Sequence, residues 1–357
     1  MRPVVAALAL AATTTAAAAD PPPPVTAVTS VTSAGIDARP RGELIAAGLV
    51  ESIDGVGGSR FELTRAEAGV DLALGAARSS VTIEAVRSAG PGSAVGVDGN
   101  SLVARWKHAA VGGRWRRGRI AGGFDLGLVA DPWVATAPDY PMRTLGPTQA
   151  EALGLIAPSD LGITGQVALG DDLAVHLMVA NGEGLTQRER NRGKTTTAVI
   201  VGQVPVALGG GVLGGRLYGR DGSVGPGAVR SHRLGGALTW RRAEAAVGVD
   251  GLRAWGVAER SDAEATVVTG WADVTVWRQL GLTTRLDRAA ITGPADAVVT
   301  WRGQGAVWWA LAPTARVAVA VSLERARATG APIPGAAAAT DATQALVLVQ
   351  GALPGVH

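Results

Sequence analysis

The chain has 357 residues, 47% of them hydrophobic, with 50 glycines, no cysteine and a formal charge of only +3. That length accommodates one large β-domain or two ordinary ones. Without cysteine there are no disulfide staples, cysteine metal sites or thiol catalysis, and the small charge implies no global field for nucleic acid.

The first residues read as an export signal. Arg2 gives a positive start, Val4 to Ala12 form a short apolar stretch, and Ala17 to Ala19 supply small residues before Asp20. This layout predicts a secretory signal peptide over 1–19. Pro21 to Pro24 and the Thr/Ser/Val stretch up to Pro40 predict an extended, Pro-rich periplasmic leader over 20–41, with the fold itself over 42–357. Beyond the leader no run of about 18 apolar residues occurs, so spanning helices are not expected. An exported chain of this kind is either a soluble periplasmic protein or a membrane barrel.

From Gly42 onward the hydrophobic period is two. In 314–325, Val317, Val319, Val321 and Leu323 share one face, while Arg316, Ala318, Ala320, Ser322 and Glu324 share the other. The segments 280–288 and 161–169 alternate in the same way, which predicts half-buried strands. Tight turns at Gly170-Asp171-Asp172, Arg242-Ala243 and Gln279-Leu280 alternate with longer polar loops at 89–100, 181–194, 221–228 and 326–341. Short turns on one rim and long loops on the other predict an all-β fold, a transmembrane antiparallel β-barrel. About sixteen strands are expected: 43–52, 61–74, 79–88, 101–109, 112–121, 161–169, 173–180, 195–206, 212–220, 230–241, 243–256, 264–278, 280–288, 297–310, 314–325 and 343–353.

Ten tryptophans stand against two tyrosines and two phenylalanines. Trp106, Trp115, Trp240, Trp301 and Trp309 fall near predicted strand ends on the apolar face, where an indole lies among lipid tails with its N–H at the wet interface. The opposite face carries Arg216, Arg233, Arg285, Asp287, Arg302 and Arg316. Buried in a sandwich these charges would be costly; in a water-filled lumen they are not.

The stretch from about Gly122 to Asp160, between the fifth and sixth predicted strands, is far longer than the other connections and mostly acidic, with Asp125, Asp131, Asp139, Glu151 and Asp160. Connections of that size are usually functional. A loop of this size at this place resembles the constriction loop of general porins, which implies that it folds inward and narrows a channel. The strands before it are basic: Arg105 and Lys107 share a face of the fourth, Arg114 and Arg116 a face of the fifth, and Arg119 lies close by. A basic wall opposite an acidic loop would set a transverse field and favour anions. The pore constriction is therefore assigned to Arg105, Lys107, Arg114, Arg116, Arg119, Asp125, Asp131 and Asp139.

The segments Phe61-Glu-Leu-Thr-Arg-Ala-Glu-Ala-Gly-Val-Asp-Leu, Val179-Ala-Asn-Gly-Glu-Gly, Trp271-Ala-Asp-Val with Thr284-Arg-Leu-Asp-Arg, and Ala345-Leu-Val-Leu-Val-Gln-Gly-Ala-Leu resemble stretches of the phosphate-selective (O/P-type) porins of Gram-negative outer membranes. The resemblance implies a sixteen-stranded barrel, a homotrimer, and passage of phosphate or other small anions. Two features depart from it: the chain ends Leu353-Pro-Gly-Val-His, without a terminal aromatic, and arginine outnumbers lysine where a lysine-rich ladder belongs.

Enzymatic readings find little support. His108, His176, His232 and His357 show no metal-ligand spacing, so neither a metal nor another cofactor is expected. Gly193-Lys194-Thr195 resembles the end of a phosphate loop, but position 188 is Arg instead of Gly and no helix follows. Arg188-Glu-Arg-Asn-Arg192 reads as a solvated loop that meets lipopolysaccharide phosphates. The expected function is passive diffusion of small hydrophilic solutes across the outer membrane, with a mild anion preference. The expected partners are outer-membrane lipid and lipopolysaccharide, and no nucleic acid. The alternative is a structural or anchoring barrel with a narrow or plugged lumen, which a lumen lined by Ala, Gly and closely packed charge pairs would favour.

Overall fold

The computed structural model describes residues 36–87, 102–137, 147–182, 184, 192–206, 210–294, 297–312, 315–329 and 341–352. Sixteen antiparallel strands, each hydrogen-bonded to its neighbours in sequence, close into one barrel. They are β1 (Ile36–Ile53), β2 (Val56–Leu74), β3 (Ala77–Arg87), β4 (Leu102–Arg117), β5 (Ile120–Ala130), β6 (Ser159–Leu169), β7 (Leu173–Ala180) and β8 (Thr195–Val206). The second half comprises β9 (Gly211–Val224), β10 (Val229–Arg242), β11 (Ala245–Val257), β12 (Arg260–Trp277), β13 (Leu280–Thr292), β14 (Ala297–Ala312), β15 (Ala315–Thr329) and β16 (Asp341–Ala352). Two single-turn helices, α1 (Pro132–Ala135) and α2 (Gln149–Ala152), lie in the connection between β5 and β6.

The barrel and its strand number agree with the sequence; several boundaries do not. β1 starts at Ile36, so residues 36–41, assigned to the leader, are strand. Positions 1–35, which hold the expected signal peptide and most of the leader, lie outside the described residues. The fourth and fifth strands were expected to meet at 110–111. Instead β4 runs on through Gly112 and Gly113 and turns at Gly118-Arg119, where Gly118 takes φ +61°. Adjacent glycines suggest a turn, but here they leave room for Phe124 and Asp125 on the next strand; a Cβ at Gly112 would lie 2.0 Å from the Phe124 carbonyl oxygen. The loop expected at 221–228 is half strand and shrinks to a turn at 225–228, since β9 reaches Val224 and β10 begins at Val229.

Alternation places one set of side chains outside. Val319, Val321 and Leu323 are exposed while Ala318, Ala320 and Ser322 are buried inside. Trp106, Trp115, Trp301 and Trp309 are about half exposed, as expected of aromatics on the lipid face, and Trp240 shares the outward face with Leu234 and Leu238. On β13, β14 and β15 the outward row Leu280–Trp309–Val317 lies eight residues from the row Arg288–Trp301–Arg325. At ~3.3 Å per residue that is about 26 Å along the strand, or about 20 Å of height at a tilt near 40°, somewhat less than the apolar height of a membrane barrel.

Inside, the lumen is not uniformly wet. Ile45, Ala47, Ala306, Ala318, Ala320 and Leu348 form a packed patch on the wall where β14–β16 meet β1, with Trp308 against it. A second apolar cluster joins the β8–β14 wall to the connection between β5 and β6.

Candidate functional site: the lumen and its inward loop

The β5–β6 connection folds into the barrel. Its base is closed where the Asp131 N–H donates to the Pro158 carbonyl, at 3.1 Å. Asp131 then caps α1, accepting from the Trp133 N–H at 2.8 Å. Thr148 and Glu151 cap α2 reciprocally: the Thr148 N–H donates to Glu151 Oε2 at 2.9 Å, and the Glu151 N–H to Thr148 Oγ1 at 3.2 Å. These caps fix two short turns whose apolar side chains, Trp133, Ala150, Leu155 and Ile156, pack on the barrel wall.

Four wall arginines grip the loop backbone. The Arg216 guanidinium lies 4.0 Å from the Trp133 ring centre, and its Nη1 donates to the Trp133 carbonyl at 2.8 Å. Arg233 Nε donates to the Leu155 carbonyl at 3.3 Å. Arg285 and Arg302 both donate to the Pro147 carbonyl, at 2.9 and 3.1 Å. Asp287, fully buried, accepts from Arg285, from Arg302 Nε at 3.0 Å and from Thr269 Oγ1 at 2.7 Å. The expected lumen charges Arg216, Arg233, Arg285, Asp287 and Arg302 do point inward. They are not bathed in water, however: loop carbonyls and carboxylates have replaced it, which is how buried charge is tolerated. Arg316 makes no hydrogen bond to the loop among the described residues; its guanidinium lies 5.3 Å from the ring of Trp308.

With the loop held against β8–β14, open space remains along β1–β7. A cavity of about 540 Å³ runs there, bounded by α1 and by Arg41, Glu67, Lys107, His108, Arg114 and Asp125. Its wall carries charge in pairs. Arg105 meets Glu84 at 2.7 Å, Lys107 meets Glu67 and lies 3.7 Å from Glu84, and Arg65 meets Glu43 at 3.0 Å. Arg114 binds both oxygens of Asp125, at 2.9 and 2.6 Å.

Several constriction assignments need correcting. Arg105, Lys107 and Arg114 face the lumen as expected, but all on β4, and Asp125 is a β5 strand residue and not part of the loop. Arg116 is 67% exposed, 4.0 Å from Asp171 at the short-turn rim, and Arg119 sits in the turn itself; both belong to the mouth. Asp131 is buried as a helix cap, and burial pushes its carboxyl up to about 6 although Arg220 opposes the shift. Asp139 lies outside the described residues. Among the described residues, the loop carboxylates are taken up in caps and backbone contacts more than in facing the basic wall. Asp160 is tied to the Leu161 and Gly182 N–H groups, and Glu151 acts electrostatically on Arg65 from within its capping box. The carboxylates that balance the basic wall come from neighbouring strands. Glu43, Glu67, Glu84, His108 and His176 were missed as site residues, although the inward period of β1–β3, Glu43-x-Ile45 on β1 and Thr82-x-Glu84 on β3, carries that signal.

No family model matches the sequence, and no curated protein matches it. Solved structures do match in fold. The trimer form of in-vitro folded OmpT, an outer membrane protein of Vibrio cholerae, aligns with a TM-score of 0.61 over 89% of this chain and 99% of that one, at 12% identity. The anion-selective porin from Comamonas acidovorans aligns with a TM-score of 0.58 over 89% and 99%, at 11% identity. The outer membrane channel DcaP of Acinetobacter baumannii gives 0.56 over 90% and 98%, also at 11% identity. What is shared is the closed antiparallel barrel fold of these outer-membrane proteins. At these identities the likeness is one of fold, and solute preference does not travel with it.

Proposed function

We propose that this protein is an outer-membrane porin that lets small hydrophilic solutes diffuse passively. The observation that carries the reading is the charged, open cavity left along β1–β7 once the loop is pinned to the opposite wall. A barrel that only anchored something would have no need of a polar passage beside its constriction.

Selectivity follows from where charge is unbalanced. Along the passage, Arg65, Arg105, Lys107 and Arg114 stand beside Glu43, Glu67, Glu84 and Asp125, so the local field is weak. Around the neighbouring turns of the short-turn rim, Arg78, Arg116 and Arg119 outnumber Asp171 and Asp172. A basic mouth over a balanced passage supports a mild, salt-dependent anion preference, with phosphate-like anions among the solutes. A homotrimer is proposed by analogy with the trimer form of OmpT.

A second reading has its own support. The packed patch around Ala306, Ala318 and Ala320 and the loop's apolar seal on β8–β14 fit a structural barrel with a narrow lumen. Single-channel recording in a planar bilayer separates the two. Discrete steps with a reversal potential on the anion side in a salt gradient are expected of the porin; a protein that inserts and never conducts would overturn it.

A further inference from the structure

The cavity along β1–β7 has two unlike sides. On the barrel wall, register brings three carboxylates abreast: Glu43 on β1 faces Glu67 on β2, Glu67 faces Glu84 on β3, and the row ends at Arg105 on β4. Like charges directly opposite one another repel. Neighbouring cations offset them: Arg65 lies 3.0 Å from Glu43 and 3.6 Å from Glu67, and Lys107 meets Glu67 and Glu84. A β-bulge aims Lys107. Thr82 pairs with His108 and Ile83 with Trp106, so Lys107 is the extra residue of β4 and lines the cavity together with His108. Arg41 lies flat on the same wall. It crosses β2 over Gly69, where a Cβ would come within 3.1 Å of its Nε, and its Nη2 donates to Ser80 Oγ on β3 at 2.6 Å. Arg41, Glu43, Glu67 and Lys107 each keep part of the side chain open to the lumen. Across the cavity the inward loop presents apolar groups instead, chiefly Pro132, Val134 and Ala135 of α1.

A simple ion gains little on such a wall. To bind a wall cation, an anion must part it from its carboxylate, and the carboxylate then loses its partner. A solute carrying both an ammonium and a carboxylate exchanges one pair for two and strands neither. The apolar side adds a second requirement. An aliphatic group set against Val134 and Ala135 leaves water at a gain, whereas a hydroxyl there would give up its hydrogen bonds. We propose that this cavity is a binding site for small aliphatic α-amino acids. The carboxylate lies on Lys107 and Arg41, the ammonium on Glu43 and Glu67, and the hydrocarbon side chain against α1. Both signs stand on one wall and in contact, unlike a field set across the aperture. The inference rests on the porin reading above, whose solute class it names.

Saturation-transfer NMR on the detergent-solubilised barrel, with L-leucine as probe, tests it without requiring conduction. Leucine is expected to bind about tenfold more tightly than leucine amide, which lacks the anion, and than 4-methylpentanoate, which lacks the cation. It should bind about threefold more tightly than serine. E67Q/K107Q removes a handle of each sign at constant net charge and should weaken leucine binding about tenfold. V134S should abolish the preference for leucine over serine, and E244Q, in the turn between β10 and β11, should alter neither. Equal binding of the amide, the acid or serine, or unchanged affinity in E67Q/K107Q, would each overturn the site. If E67Q/K107Q fails to fold, the comparison of solutes on the unaltered protein still decides. A protein that binds leucine as expected yet never conducts fails the porin reading and leaves the site standing. One that conducts but does not distinguish these probes keeps the porin reading and loses the site.

Discussion

Arg285 on β13 and Pro147 in the loop are 138 positions apart in sequence, yet Arg285 Nη2 donates to the Pro147 carbonyl at 2.9 Å. Arg302 shares the same oxygen, and both guanidiniums pair with the single buried carboxylate of Asp287. The far end of the loop is thus fixed by a carbonyl held between two cations, a strong form of hydrogen bond. Removing one partner from such a buried set strands the others. Arg285→Met is expected to destabilise the barrel by roughly 3–5 kcal/mol, read as a lower temperature for loss of the compact form on unheated gels. Arg316→Met, at a side chain that packs by Trp308 and is not part of the Asp287 set, should change little.

The loop can be tested as an obstruction without disturbing the strands. Because the Asp131 N–H and the Pro158 carbonyl already meet at 3.1 Å, residues 132–157 can be replaced by two glycines. Conductance should rise severalfold. An unchanged conductance would mean that the loop does not set the aperture.

Charge reversal should discriminate passage from mouth. Arg114→Glu places a carboxylate beside Asp125, where Arg114 now holds both its oxygens, and turns a neutral pair into two negative charges. The reversal potential should move toward cations and stay moved in moderate salt. Arg116→Glu, at the exposed rim, should shift it less, with an effect that fades once screening reaches about 10 Å at 0.1 M. Identical salt dependence at both positions would place them at the same depth.

The two faces of β15 yield a different pair of outcomes. Val319→Arg on the lipid side should cost about 2–4 kcal/mol. Ala320→Arg, which alternation alone would place in water, is also expected to be damaging, because Ala320 is buried in the inner patch with Ile45, Ala306 and Leu348. Gln166→Arg on the cavity wall should be mild by comparison. Refolding yield and thermal migration shift measure all three.

Asp131 gives a pH dependence with a definite sign. Its carboxyl is raised by burial to about 6, so the folded protein takes up a proton that the unfolded chain, near 3.8, does not. Stability should therefore rise as pH falls from about 6 toward about 4, and be at its lowest, from this group, above 6. Asp131→Asn retains an N-cap acceptor and has no proton to exchange. Thermal stability of the variant between pH 4.5 and 7.5 should be flatter than that of the unaltered protein; equal slopes would remove Asp131 as the cause.

Strand number and facing were legible because period two is local. Val317 to Leu323 reports its own orientation whatever else the chain does. The turn at Gly118 was missed because the expected strand over 112–121 ran straight across it, whereas Gly112 and Gly113 belong to β4 and approach Phe124 closely on β5. The site was harder still. That Arg216, Arg233, Arg285 and Arg302 face inward followed from alternation; that they bind loop carbonyls did not, since Pro147 and Leu155 carry no side-chain signal for accepting an arginine. The pairing of Arg105 with Glu84 and of Lys107 with Glu67 depends on inter-strand register, which a single sequence does not display.

The barrel is sealed by β1 and β16, from Glu43 opposite Ala352 to Ile53 opposite Ala342, with Gln350 Nε2 donating to Glu43 across 307 positions of sequence. Every other pairing joins strands that are neighbours in sequence; this seam alone joins the two ends of the sheet. Without it β1 would keep one unpaired edge of up to eighteen residues, a template for any stray strand. Closure is thus the contact of highest sequence separation in the barrel, and it is what turns an open, sticky sheet into a vessel.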